Sequence, residues 1–128
     1  MKKQHWKPGA LLAPVPPTLV TCGTMEAPGI LTVAWTGILS SGPPKTYISL
    51  RPQRHSYGII RAQGEFVVNL TTVPLVRAAD FCGVRSGRDL DKFAAMGLTP
   101  APAPPLCCPQ LDESPVSILC RVTDIVPL

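Results

Sequence analysis

The sequence predicts a mainly β fold, a β-rich barrel carrying short helices, and three observations carry that expectation. Sixteen prolines among 128 residues argue against a helical bundle, because proline breaks helix interiors and blunts edge strands. The apolar runs are short and are punctuated by turn clusters, Met25–Gly29 and Ser40–Pro44 among them, as in strands joined by tight connections. Hydrophobic residues make up 45% and charged ones 16%, a globular composition at a length that suits one domain, 1–128, with a modest core.

Residues 1–17 read as an irregular lead-in holding Trp6 and several prolines. Thr18–Thr24 is strand-like, Met25–Gly29 is a turn, and Ile30–Thr36 alternates as a second strand. After the Ser40–Pro44 turn, Lys45–Leu50 gives a third strand with Tyr47, Ile48 and Leu50. Ser56 is placed to cap a short helix, Tyr57–Gln63, that Gly64 stops. Glu65–Leu70 is a fourth strand. Val73–Phe81 has helical spacing, with Leu75, Val76 and Ala79 on one side and Gly83 after it. Asp89 is placed to cap a helix over Leu90–Met96, ended by Gly97. Thr99–Pro109 reads as a proline-rich ordered surface loop, and Val116–Val126 as a final strand. The chain stops at Pro127-Leu128, in or just after that strand, so an unpaired sheet edge is expected that another segment or another chain covers.

No apolar run approaches the ~20 residues of a membrane span. Met1-Lys2-Lys3 has the basic start of a signal peptide, but Ala10–Val15 is short and broken by proline, so a cytoplasmic location is expected. Cys22, Cys82, Cys107, Cys108 and Cys120 are odd in number and lack CxxC spacing. They read as reduced thiols in place of a disulfide framework or a zinc site. The adjacent pair Cys107-Cys108 is open to a redox reading or to incidental loop thiols. His5 and His55 are too few for a multi-histidine metal site. The net charge is +4 with pI near 9.0. Basic residues are nonetheless scattered, and from Arg51 to Lys92 they alternate with Glu65, Asp80, Asp89 and Asp91. That pattern suits a local anion site better than a nucleic-acid groove.

The stretch from Thr32 to Ser56 concentrates the chemistry. It places an aromatic (Trp35), small hydroxyl residues (Thr36, Ser40, Ser41) and a basic cluster (Arg51, Arg54, His55) within a few turns of chain. Such a set suits a ligand that is flat and aromatic at one end and anionic at the other. Arg51, Arg54, His55 and Ser56 lie where a strand gives way to a helix, whose orphan N–H groups and the guanidinium forks suit a phosphate. Solvated or carboxylate-paired arginines are the alternative. Ser86, Gly87 and Lys92 form a second candidate anion cradle, though Ser-Gly before an acidic helix start is also ordinary capping. Trp35 reads equally as a ring wall or a core residue. P-loop, GxGxxG, HExxH and GxSxG signatures are absent.

Five blocks in order, T-V-A-W-T-G-I-L-S-S-x-P-P, Y-I-S-L-R-P-x-R-H-S-Y, G-E-F-V-V-N-L, C-G-V-x-S-G-R-D-x-D-K-F and M-G-L-T-P, resemble the flavin reductase-like family, of which flavoredoxin is a member. The lead-in W-K-P-G-x-L-L-x-P-x-P agrees, and the similarity runs from about Leu12 to Pro127. The resemblance implies an FMN-binding split β-barrel and a homodimer with one FMN per subunit. It implies that Val33, Ala34, Trp35 and Thr36 line the isoalloxazine, with Ser40 and Ser41 near its polar edge. Arg51, Arg54, His55 and Ser56 would hold the phosphate, and Cys82, Gly83, Ser86, Gly87, Lys92 and Phe93 would close the site. Gly29 stands where many members carry Asn. The family continues beyond the position of Leu128 with a G-S-H-like segment and a further strand, so a missing C-terminal part is expected.

The activity implied is hydride transfer from NADH or NADPH to bound flavin, then electron passage to free flavin or a protein acceptor. No side chain is required as a general acid or base. A flavoredoxin-type carrier without efficient NAD(P)H oxidation, a non-catalytic barrel and an oligonucleotide-binding barrel are the competing readings.

Overall fold

A computed structural model describes all of residues 1–128. Its first strand, β1 (Thr18–Gly23), is buried along its whole length because it lies inside the main sheet. That sheet is antiparallel, ordered β2-β1-β5-β8, with β2 Pro28–Val33, β5 Glu65–Asn69 and β8 Ser117–Arg121. β3 (Thr36–Ser41) and β4 (Pro44–Ile48) form a hairpin sheet of their own, and β6 (Pro100–Ala101) pairs with β7 (Gln110–Leu111). The helices are α1 (His55–Gln63), α2 (Val76–Val84, entered through a 3-10 turn at Val73–Leu75) and α3 (Lys92–Met96). None is long and apolar enough to cross a membrane. The mainly β expectation with short helices holds.

The two-residue side-chain period of the strands divides the core between the sheet faces. Leu19 and Ile30 point to one face and pack with Ala78, Ala79 and Cys82 of α2, Phe93 of α3, Leu98 and Leu111. Val20, Cys22, Leu31, Val33, Phe66 and Val68 point to the other and pack under Ile60 of α1. Burying each such Leu, Val or Ile contributes roughly 1.5–3 kcal/mol. α1 and α2 therefore cover opposite faces and meet around the outer edge of β2.

One polar residue ties the layers together. Asn69, fully buried, donates through Nδ2 to Leu19 O at 2.9 Å and to Thr21 Oγ1 at 3.0 Å. Its Oδ1 accepts from the Leu111 N–H at 2.9 Å and the Ser117 hydroxyl at 2.8 Å. Asn69→Ala strands several buried groups at once, so chemical denaturation should report a stability loss of ~2 kcal/mol or more. A loss near zero would show that the network is dispensable.

Several boundaries differ from expectation, each for a tertiary reason. The segment Thr36–Ser41 is a separate strand, β3, where the sequence suggested the end of one strand and a turn. The final strand ends at Arg121, short of Val126. α1 begins two residues earlier than a Ser56 cap implies: Arg54 is its N-cap without a side-chain cap bond, and Ser56 is buried in the first turn. α2 runs through Gly83 to Val84, and Asp91, not Asp89, caps α3, its Oδ1 accepting from Ala94 N at 3.1 Å. Gly64 and Gly97 stop α1 and α3 as expected, both in the left-handed region at φ 74° and 63°. Part of the proline-rich stretch is core: Ala103, Cys108 and Pro109 are buried, and Glu65 Oε1 accepts the N–H groups of Cys107 and Cys108 at 2.6 and 2.8 Å.

Candidate cofactor site

Two successive carbonyls at the C-terminal end of α2 organise the site. Lys92 Nζ donates to Cys82 O at 2.9 Å, and Arg54 Nη1 donates to Gly83 O at 3.0 Å. A helix leaves its last carbonyls unpaired and its C-terminus partly negative, so cations settle there. This one feature brings together two candidate cradles that lie almost forty residues apart in sequence. His55 joins them, since a Cβ added at Gly87 would lie 3.0 Å from His55 Cδ2. Any larger residue at 87 would push the imidazole away.

Lys92 is only 5% exposed. Burial pushes its ammonium below the ordinary lysine range, and the Arg54 guanidinium adds to the effect, while the Cys82 and Cys22 thiols act the other way. No carboxylate is among the groups that act on it. One of its three N–H donors is used, and one of the five on Arg54, which leaves donors for an anion.

Beside the cations runs a cleft of about 230 Å³ along Leu31–Trp35, closed by Ser49, Leu50, Arg51 and Arg54. β2 is an edge strand, so alternate backbone N–H and C=O groups along it lack a strand partner and face outward. Trp35 is 51% exposed at the end of this edge, so it is not a core residue. Val33, largely buried, and Ala34 line the cleft beside it. Thr32, Ser49 and Leu50 also line the cleft, and sequence reasoning passed over them; only strand alternation next to Trp35 hinted at Thr32.

Other expected site residues stand elsewhere. Thr36 Oγ1 donates to Tyr47 O at 2.6 Å and Ser40 Oγ to Pro43 O at 2.6 Å, both inside the β3–β4 hairpin. Ser41 is exposed near its tip, and none of these three lines the cleft. Ser86 Oγ accepts from Arg88 N at 3.2 Å, a local turn contact, and Phe93 is packed in the core under α2. Ser56 is buried beside the Cys22 thiol and lowers its pKa, against the larger rise from burial. That thiol fills the space beside Gly29, where an added Cβ would lie 2.9 Å from Cys22 Sγ, so an asparagine there requires Cys22 to move. Burial raises the thiols of Cys22, Cys82 and Cys120, and burial together with Glu65 pushes Cys108 up to about 12. These four remain neutral thiols at ordinary pH and are poor nucleophiles.

The edge strand β2, the half-exposed Trp35, Arg51 and Arg54 thus meet on one cleft. The family model described as "Flavin reductase like domain" matches residues 11–128, and the chain belongs to the flavin reductase-like family. It is similar to flavoredoxin of Desulfovibrio vulgaris (Miyazaki F), with 33% identity and a TM-score of 0.92 over 98% of this chain and 69% of that one. An FMN-binding protein from Thermus thermophilus with bound 1-cyclohex-2-enone shares the fold at 20% identity and a TM-score of 0.85, over 100% and 70% of the two chains. An uncharacterized protein of Pyrococcus abyssi is 26% identical over 114 residues. Those residues are 89% of this chain and 65% of that protein, so the chain spans a little under two thirds of its length.

Proposed function

We propose that this chain binds FMN and passes electrons from NAD(P)H through it to an acceptor, either a free flavin or a partner protein. The observation that carries the reading is the convergence of Arg54 and Lys92 on adjacent carbonyls, beside an open strand edge, with no carboxylate acting on the buried lysine. A phosphate supplies the missing negative charge.

In this reading Arg51, Arg54 and His55, with the N–H groups that open α1, hold the phosphate. Lys92 contributes a buried point charge, and Ser56, buried in the first turn of α1, supports that turn from inside. Val33, Ala34 and Trp35 flank the isoalloxazine, with Thr36 beyond them. Backbone N–H groups on the free edge of β2 meet the ring's polar edge and favour negative charge there. Cys82, Gly83, Ser86 and Gly87 shape the wall opposite, and Phe93 supports it from the core. Ser40 and Ser41, remote from the cleft within one chain, serve the hairpin. When bound, FMN supplies the electron-accepting and electron-donating chemistry. The side chains bind, orient and exclude water, and none has to move a proton.

A second copy of the chain fits the β3–β4 hairpin. That hairpin pairs only with itself and exposes Ile38 (84%) and Leu39 (63%), and a lone two-stranded ribbon is marginal in water. Sedimentation at micromolar concentration should find a dimer; a persistent monomer would contradict this part. The five free cysteines fit a reducing compartment, the cytoplasm.

The likeness to flavoredoxin favours a second reading, an electron carrier that NAD(P)H reduces poorly. Anaerobic mixing of the FMN-loaded protein with NADH or NADPH, and nothing else, separates the two. Rapid bleaching of the flavin supports the reductase. A flavin bleached by dithionite but not by either nucleotide supports the carrier.

A further inference from the structure

Thr32 joins the ring end of the site to its cation end. Strand alternation turns it, with Ile30, toward α2. Its hydroxyl donates to Ala79 O, and a Cβ added at Gly83 would lie 3.3 Å from the Thr32 Cβ. Positions 79 and 83 lie one turn apart on one face of a helix, so a single β2 side chain meets α2 at two successive turns. Those turns lead into Cys82 O and Gly83 O, the carbonyls that hold Lys92 and Arg54. Thr32 and Arg54 both line the cleft of about 230 Å³. A continuous chain of contacts therefore runs from the β2 edge through the end of α2 to the guanidinium.

A second cleft, of about 420 Å³, lies on the other side of Thr32, between Pro17, Thr71 and the α2 residues Val76, Asp80 and Val84. Val76 and Val84 stay 61% and 72% exposed, so no packing steadies that flank of the helix. Ala78 and Cys82 hold α2 to the core by apolar contact, which is non-directional. A hydrogen bond weakens steeply when misaligned, and the one from Thr32 fixes how the last turn is rotated.

We propose that Thr32 is a positioning residue: its hydroxyl on Ala79 O seats the last turn of α2 so that Cys82 O and Gly83 O present Lys92 and Arg54 to the anionic end of the ligand. The proposal rests on the flavin reading above and adds to it the residue that sets the cation pair. Thr32 acts through the helix and needs no contact with the phosphate.

The test compares Thr32→Val with Thr32→Ser in the full chain. Valine keeps the branched shape and the strand preference and deletes the hydroxyl; serine keeps the hydroxyl. Fluorescence titration should find FMN binding about tenfold weaker in Thr32→Val, riboflavin binding within about twofold of the unaltered chain, and FMN binding restored in Thr32→Ser. Placed in Arg54→Ala, Thr32→Val should cost FMN affinity about threefold or less, because two residues that act as one unit do not add. Equal losses for the two flavins, no recovery with serine, or an undiminished loss in Arg54→Ala would overturn the proposal. The ligand-free proteins, labelled with carbon-13 at the backbone carbonyls, give a reading independent of flavin. The Gly83 signal in Thr32→Val should move toward its position in Arg54→Ala and return in Thr32→Ser; a signal that stays still would overturn the proposal. Failure of the unaltered chain to hold FMN would sink the flavin reading, while the Gly83 signal still decides whether Thr32 sets the cation pair.

Discussion

Arg54→Ala should weaken FMN binding about a hundredfold while weakening riboflavin binding far less. The reason lies in what differs between the two ligands. Both carry the ring that the β2 edge and Trp35 would contact, and only FMN carries the phosphate. Removing one partner of a desolvated guanidinium–phosphate pair costs ~2–5 kcal/mol, of which ~3 kcal/mol is a hundredfold. Arg54 also holds Gly83 O at 3.0 Å, so its loss loosens the end of α2. Riboflavin binding controls for that: loosened packing penalises both ligands alike, and lost charge penalises only FMN. Arg54→Lys keeps a positive charge but loses the planar fork, and should fall between the wild type and Arg54→Ala. Equal losses for both ligands, measured by fluorescence titration, would reject the phosphate role.

Lys92→Met should likewise cost FMN affinity on the order of a hundredfold, and its effect on the ligand-free protein distinguishes it from ordinary damage. Burial lowers the Lys92 pKa from its ordinary 10.5. Between the folded value and 10.5 the unfolded chain therefore binds more protons than the folded one, and stability rises with pH across that interval. The penalty is fully present below the folded value and is gone above 10.5. The Met variant lacks this rise, although it leaves Cys82 O without its donor, a loss of ~1–3 kcal/mol. The difference in unfolding free energy between wild type and Lys92→Met should thus change with pH between the folded pKa and 10.5 and be level below that interval. A difference independent of pH up to 10.5 would mean that the buried ammonium is not strained. FMN should flatten the wild-type rise, because phosphate restores the charge that burial penalises.

Much of the fold is legible in the chain because local chemistry decides it. Gly64 and Gly97 end helices by adopting a conformation that other residues avoid. β1 reads as a strand because it is an uninterrupted run of β-formers, buried on both faces. β3 was hidden because Gly37, Ser40 and Ser41 look like turn residues, and this strand pairs only with β4 at the surface. Ser56 misleads as a cap for a similar reason. Its intrinsic preference for the N-cap yields to a place in the core beside Cys22.

The site divides in the same way. Residue types suggested both candidate cradles, since arginines, a histidine and a lysine near helix starts suit anions wherever they lie. Their meeting was not legible. It depends on Cys82 O and Gly83 O ending α2 within reach of side chains from α3 and from the start of α1, which is a tertiary fact. The same holds for Thr32, an ordinary strand residue by sequence, whose position between two clefts comes from α2 packing on the outer strand of the sheet.

The most direct test is an absorbance spectrum of the purified protein after incubation with FMN and desalting. Retained flavin, with its band near ~450 nm and close to one FMN per chain, is the expected result for a site that holds both ring and phosphate. A colourless protein, with the fold intact by circular dichroism, would mean that the cation pair and the open strand edge do not together make a flavin site.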